Sequence, residues 1–179
     1  MAEILLKRSS SGELFPVVTT FSSPLPLATG PLFDVECRDS TSGDSSFLAV
    51  SGDVGGKTIS DLPNSFFIKS LFSPMGRFSA YGQPTDIKVK SSEMDGRYRI
   101  MDVNFSTLSQ STQTEIPRKA RVVATIPDGS SQAVMLVTST SALRWKKGGE
   151  ALVAAVAKSF SAVPAPETSL KVRAKDPRS

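Results

Sequence analysis

Residues 118–140 read RKARVVATIPDGSSQAVMLVTST, and the architecture of the chain follows from this run. Two strand-like segments, Arg118 to Ile126 and Gln132 to Thr140, flank Asp128-Gly129. Asp-Gly is favoured in tight hairpin turns because both positions accept positive φ. Ala133-Val134-Met135-Leu136-Val137 is apolar at every position rather than at every second one. An antiparallel strand with one wet face alternates, so this unbroken run predicts a central strand covered on both sides. Val122-Val123-Ala124 carries the same message.

The pattern extends upstream. Ile87-Lys88-Val89-Lys90 alternates, Asp95-Gly96 makes a second turn, and Tyr98 to Leu108 returns as a long strand, followed by a polar loop over Ser109 to Glu115. Earlier still, Leu32 to Cys37 and Phe47 to Val50 read as a hairpin across a polar turn. Ser60 is the expected N-cap of a helix running to Phe72, with Pro63 in its first turn and Pro74 beyond its end. Downstream, Ser141 to Val163 reads SALRWKKGGEALVAAVAKSFSAV. Arg144-Trp145-Lys146-Lys147 leads through Gly148-Gly149 into a helix expected over Gly149 to Ser159. Its Leu152, Val156 and Phe160 share one apolar stripe, flanked by Val153 and Ala157. The fold class is therefore α+β, a central antiparallel sheet with helices on both faces. Three regions are expected: an irregular segment over 1–30, a domain over 31–163, and a disordered basic tail over 164–179.

Composition narrows the chemistry. Among 179 residues there is no histidine, which excludes Ser-His-Asp and Cys-His catalysis and removes the commonest transition-metal ligand. The single cysteine, Cys37, allows no intrachain disulfide and is expected to be a buried structural thiol. No run approaches the ~18 apolar residues that cross a bilayer as a helix. Net charge is +4, a modest excess suited to an acidic partner or an anionic surface. Ser51 to Thr58 ends in Gly-Lys-Thr, but Ser51 stands where a phosphate-binding loop needs its first glycine, and the expected reading is a turn.

Gly96-Arg97-Tyr98-Arg99 with its strand, the Val122–Thr140 hairpin, and Arg144 to Val163 occur in this order, and together they resemble the PsbP-like family. The likeness extends over roughly residues 32–163. It implies an α-β-α sandwich and an extrinsic protein of the chloroplast thylakoid lumen, its transit sequence removed. Without the major photosystem II subunit's histidines, the resemblance points to an auxiliary paralogue. The implied role is non-enzymatic docking on photosystem II or another thylakoid membrane complex, assisting assembly, stability or oxygen evolution. The resemblance also implies peripheral membrane association, no nucleic acid, a monomer and no cofactor; calcium association enters from the family alone.

Seven residues are the candidate partner-binding set: Arg144, Trp145, Lys146, Lys147, Arg118, Lys119 and Arg121. Trp and Arg are enriched at binding hot spots, although Trp145 equally suits a cap on the core edge. The Arg118–Arg121 cluster equally suits solvated charges on an edge strand. Arg97 and Arg99 are expected on one strand face, with Glu93 and Asp95 as partners. Two other functions stay open. A fold relative implies binding of a Ran-type GTPase, and Asp34, Glu36, Asp102 or Glu115 would serve a carboxylate enzyme.

Overall fold

Both Asp-Gly turns close hairpins in the computed structural model, which describes residues 1–28, 35–74, 77–79, 83–109 and 111–166. Strands β5 (Thr85–Asp95), β6 (Tyr98–Leu108), β7 (Glu115–Thr125) and β8 (Gln132–Ser141) form an antiparallel meander. β4 (Ser45–Asp53) pairs with β8, and β3 (Glu36–Arg38) pairs with β4. The six-stranded order is β3-β4-β8-β7-β6-β5. Residues 32–34 of the expected first hairpin lie outside the described residues.

The side-chain period of two divides the unbroken apolar run of β8 between two cores. Ala133, Met135 and Val137 join Phe47, Met101, Val103, Phe105 and Val122 on one face. There they meet Phe67 and Leu71 of α1 (Asn64–Leu71). Val134 and Leu136 point the other way, with Leu48 and Val123, against Val156 and Ala157 of α3 (Glu150–Lys158). Ala133 through Val137 are all 0% exposed, as a strand covered on both sides must be.

Helices are not the whole of that cover. The second face is shared by α3 and a three-stranded sheet ordered β1-β2-β9, made of β1 (Ala2–Lys7), β2 (Leu14–Thr20) and β9 (Ser161–Pro164). Ile4, Leu6, Phe15, Val17 and Ala162 bring its inner side into the second core. This corrects two expectations: residues 2–20 form a hairpin rather than an irregular segment, and Pro164 belongs to a strand rather than to a tail. Pro16 has no N–H to give, yet β2 tolerates it because its backbone polar groups face the β9 side just past the end of that strand, as the bond from Ala165 N–H to its carbonyl at 3.0 Å shows. The remainder of the expected tail, from residue 167, lies outside the described residues.

The helix expected with Ser60 as its N-cap begins three residues later, with Pro63 as N-cap and no side-chain cap. An arginine ties down the segment that leads into the helix, without capping its N–H groups. Arg99 Nη1 donates to the carbonyls of Ile59 (3.1 Å) and Leu62, Nη2 donates to Asn64 Oδ1 (2.7 Å), and the guanidinium lies 5.1 Å from the Phe67 ring centre. Burial pulls its pKa below the usual arginine value. Arg97 sits in the turn and pairs with Asp128 at 3.1 Å. Glu93 and Asp95 are thus not the partners of this pair of arginines, because the turn and the α1 entry supply oxygens within closer reach.

Candidate functional site

Strand register brings the two basic clusters together. Arg118 lies opposite Ser141 and Lys119 opposite Thr140. α2 (Ala142–Arg144) starts immediately after β8, so Trp145 returns over β7. Lys119 Nζ lies 5.3 Å from the centre of the half-buried Trp145 ring, within range of a cation–π contact. Trp145 thus lies with one part against the protein and one part at the surface.

The chain makes this approach possible with two adjacent glycines. Trp145–Gly149 is a wide, π-type turn broken at Lys147 and Gly148, where φ reaches +100° at Gly148. Gly149 has ordinary helical angles but no room. A Cβ there would stand 2.8 Å from the Arg144 carbonyl oxygen and 3.0 Å from Thr140 Cγ2.

The candidate cations divide into two kinds. Arg121 makes a two-point bond to Asp102, Nε to Oδ1 at 2.7 Å and Nη2 to Oδ2 at 2.9 Å. The hydrogen bond to Asp102 raises the Arg121 pKa against the opposing effect of burial. Arg144 holds the carboxylate of Asp44, with Nε and Nη2 at 2.9 and 2.8 Å from Oδ2. Asp44 is 1% exposed and also accepts from Thr140 Oγ1 at 2.7 Å. Arg118 faces the α1 side and donates to Gly43 O (2.7 Å) and Ser139 Oγ (3.0 Å). These arginines brace the end of the sheet.

The lysines remain as the surface charge. Lys119 is joined by exposed Lys146 and Lys147 and by two lysines outside the expected set, Lys88 and Lys90 of β5. Lys88 pairs across Asn104 with Lys119, so three strands place two ammonium groups on one row. Lys90, Lys119, Trp145, Asp102, Asn104 and Glu150 line a cavity of about 220 Å³. Leu143, 67% exposed, adds an apolar contact beside the cations. The alternation of β5 signalled that Lys88 and Lys90 share a face, but nothing in the sequence placed that face beside Trp145.

Other expected chemistry is not assembled. Asp102 is bound to Arg121, Glu115 accepts from Thr85 Oγ1 at 2.9 Å, and Glu36 lies 3.9 Å from Arg38. Asp102 and Glu115 stand toward opposite ends of the β6–β7 pair; Asp34 lies outside the described residues. Among the described residues no three His, Cys, Asp or Glu side chains gather as candidate metal ligands. In the Ser51–Thr58 turn, Asp53 Oδ1 accepts the Gly55 N–H at 2.7 Å, taking a donor that a phosphate would need. Cys37 is half-buried rather than buried. Desolvation raises its pKa, opposed by a hydrogen bond with Ser23.

No family model matches the chain, and no curated protein matches it. Among solved structures it is similar to cyanobacterial PsbP (CyanoP) from Synechocystis sp. PCC 6803, with a TM-score of 0.48 and 16% identity over 89% of this chain and 92% of that one. It is also similar to LpqN, a Mycobacterium tuberculosis protein involved in cell envelope biogenesis, with a TM-score of 0.47 and 8% identity over 91% of each chain.

Proposed function

We propose that this chain is a non-enzymatic docking protein of PsbP-like type, which uses its lysine–tryptophan surface to bind an acidic face of a photosynthetic membrane complex. The observation that carries the proposal is the convergence of Lys88, Lys90, Lys119, Lys146 and Lys147 around Trp145, from segments separate in sequence. Lysines on a rigid sheet end, four of these five exposed and Lys119 half-buried, attract carboxylates without holding them in one fixed geometry. The half-buried indole and Leu143 supply the apolar contact that charge alone lacks. The working place of such a protein is the thylakoid lumen and its role the assembly, stability or oxygen evolution of photosystem II, as the sequence resemblance implies. No helix among the described residues is long and apolar enough to cross a membrane, which is compatible with attachment from the side.

The test is co-sedimentation with inside-out thylakoid vesicles, whose lumenal face is exposed, at low and high salt. Exposed attraction is screened over ~10 Å at 0.1 M salt, so wild-type protein should bind at low salt and be released as salt rises. The triple variant Lys119→Glu, Lys146→Glu, Lys147→Glu should stay in the supernatant at both. Binding that ignores both salt and the triple substitution would end this proposal. A protease-protection assay on intact thylakoids then checks the compartment. Digestion of the protein without membrane rupture would remove the lumenal assignment and leave the docking surface to be tested elsewhere.

A further inference from the structure

We infer that the outer face of the β1-β2-β9 sheet is a two-fold contact with a second copy of this chain. Along β1, Ile4 and Leu6 are buried while Glu3, Leu5 and Lys7 are exposed on the opposite side. Register sets Leu5 beside Pro16, Glu3 beside Val18, Lys7 beside Leu14, and Val18 beside Val163. The outer face is thus an apolar strip of Leu14, Leu5, Pro16, Val18 and Val163. Its largest members are well exposed, Leu5 at 57%, Leu14 at 60% and Val163 at 42%. The inner side of the same strands is already spent on the second core.

Charge identifies the occupant. Glu3 and Lys7 mark the two ends of the β1 row with Leu5 between them, and neither side chain makes an ion pair or hydrogen bond among the described residues. A two-fold contact must be self-complementary. If the axis lies in the contact plane and across the strands, β1 stacks antiparallel on its copy. Leu5 then meets Leu5 of the second copy, each Glu3 meets Lys7 of the second copy, and each Leu14 meets Val18 of the second copy. An axis along the strands would instead lay β1 over β9 and set Glu3 against Val163 of the second copy, with no opposite charge in reach. Sheets packed face to face stand ~10 Å apart, a gap that Glu and Lys side chains span from the two sides. The inference departs from the monomer expected from the sequence, and it uses a surface other than the lysine patch.

Sedimentation equilibrium of the full chain tests it, with the folded state of each variant checked by its thermal melt. Wild-type protein should self-associate, and Leu5→Asp should be monomeric. Glu3→Lys replaces both ion pairs by like charges and should weaken association about tenfold, given that an exposed pair contributes only modestly. The double variant Glu3→Lys, Lys7→Glu reverses every charge and restores complementarity, so it should return to within about threefold of wild type. A wild-type chain still monomeric at about 1 mM overturns the inference. So does association that ignores Leu5→Asp, or a double variant no better than Glu3→Lys. Acetylation of Lys7 should fall as protein concentration rises; protection that is the same at every concentration would mean that another segment of the same chain covers this face, and would equally overturn it.

Discussion

Replacing Gly149 by alanine should destabilise this protein, although helix propensity alone says the reverse. Gly149 has φ −61° and ψ −31°, angles any residue adopts, and it stands at the head of α3. In an unhindered helix, Gly→Ala is worth roughly 1 kcal/mol in favour of the folded state. Here the new methyl carbon would stand 2.8 Å from Arg144 O, 2.9 Å from Arg144 C and 3.0 Å from Thr140 Cγ2. The first two are backbone atoms and have no rotamer to change. Relief requires α2 and α3 to separate, and overpacking of this kind costs roughly 1–3 kcal/mol. Three contacts this short, two of them with backbone, put the cost in the upper part of that range, about 2–3 kcal/mol, so after the propensity gain is subtracted the net loss is about 1–2 kcal/mol, or roughly 2–8 °C in Tm for a chain of this size. Urea denaturation measures it, with the midpoint falling and the slope unchanged. Gly148→Ala is the control: nothing lies within 4 Å of its would-be Cβ, and its penalty comes only from a φ of +100°. Thr140→Ser removes one of the three contacts of the new methyl and should rescue Gly149→Ala only in part. A Gly149→Ala protein as stable as wild type, or more stable, would refute the steric argument and with it the close crossing that brings Trp145 over Lys119.

Three further outcomes follow from other contacts. Arg144→Ala should cost about 1.5–3 kcal/mol in urea unfolding, because it strips charged hydrogen bonds from the buried Asp44; the cost should shrink in an Asp44→Ala background, where no buried carboxylate is left. Phe67→Ala should cost about 3–5 kcal/mol by the same assay, since the ring is 0% exposed and also faces the Arg99 guanidinium. Cys37, raised by desolvation, should react with iodoacetamide more slowly at neutral pH than a free thiol, with its rate rising at higher pH than in the urea-unfolded chain. The sign follows from linkage: the folded state keeps the thiol proton longer, so the stability tied to it is full below the unfolded pKa and declines as pH rises toward the folded value. A Cys37→Ser variant with the same alkaline loss of stability as wild type would assign that loss to other groups.

The main sheet was legible because its signals are local. Asp95-Gly96 and Asp128-Gly129 mark turns within two hairpins, and the Ala133–Val137 run announces a strand covered twice. The small sheet was hidden by the opposite circumstance. Pro16 and the Ser9-Ser10-Ser11-Gly12 turn interrupt its pattern, and β2 finds β9 only through pairing across most of the chain. Ser60 carried a helix-cap signal of the right type, but Arg99 claims the backbone carbonyls around it, which no local rule could include. At the candidate site the basic clusters could be read directly. Their sorting into arginines held by carboxylates and lysines that are not could not, because it depends on strand register for Asp102 and Arg121 and on a contact across 100 residues for Asp44 and Arg144.

The closure of the small sheet by β9 has a consequence for how the chain is made. Thr20 and Ser161, hydrogen bonded at 2.6 Å, are 141 residues apart, whereas the β5 to β8 meander is built from neighbours. Loop closure over so long a stretch is entropically costly and slow compared with hairpin formation. A chain emerging from a ribosome or a translocation pore can therefore lay down most of the six-stranded sheet while its first hairpin waits. During that interval Leu48, Val134 and Leu136 have neither α3 nor the completed small sheet over them. This transient apolar face is a natural target for a chaperone, and arrival of Ser161–Pro164 ends its exposure.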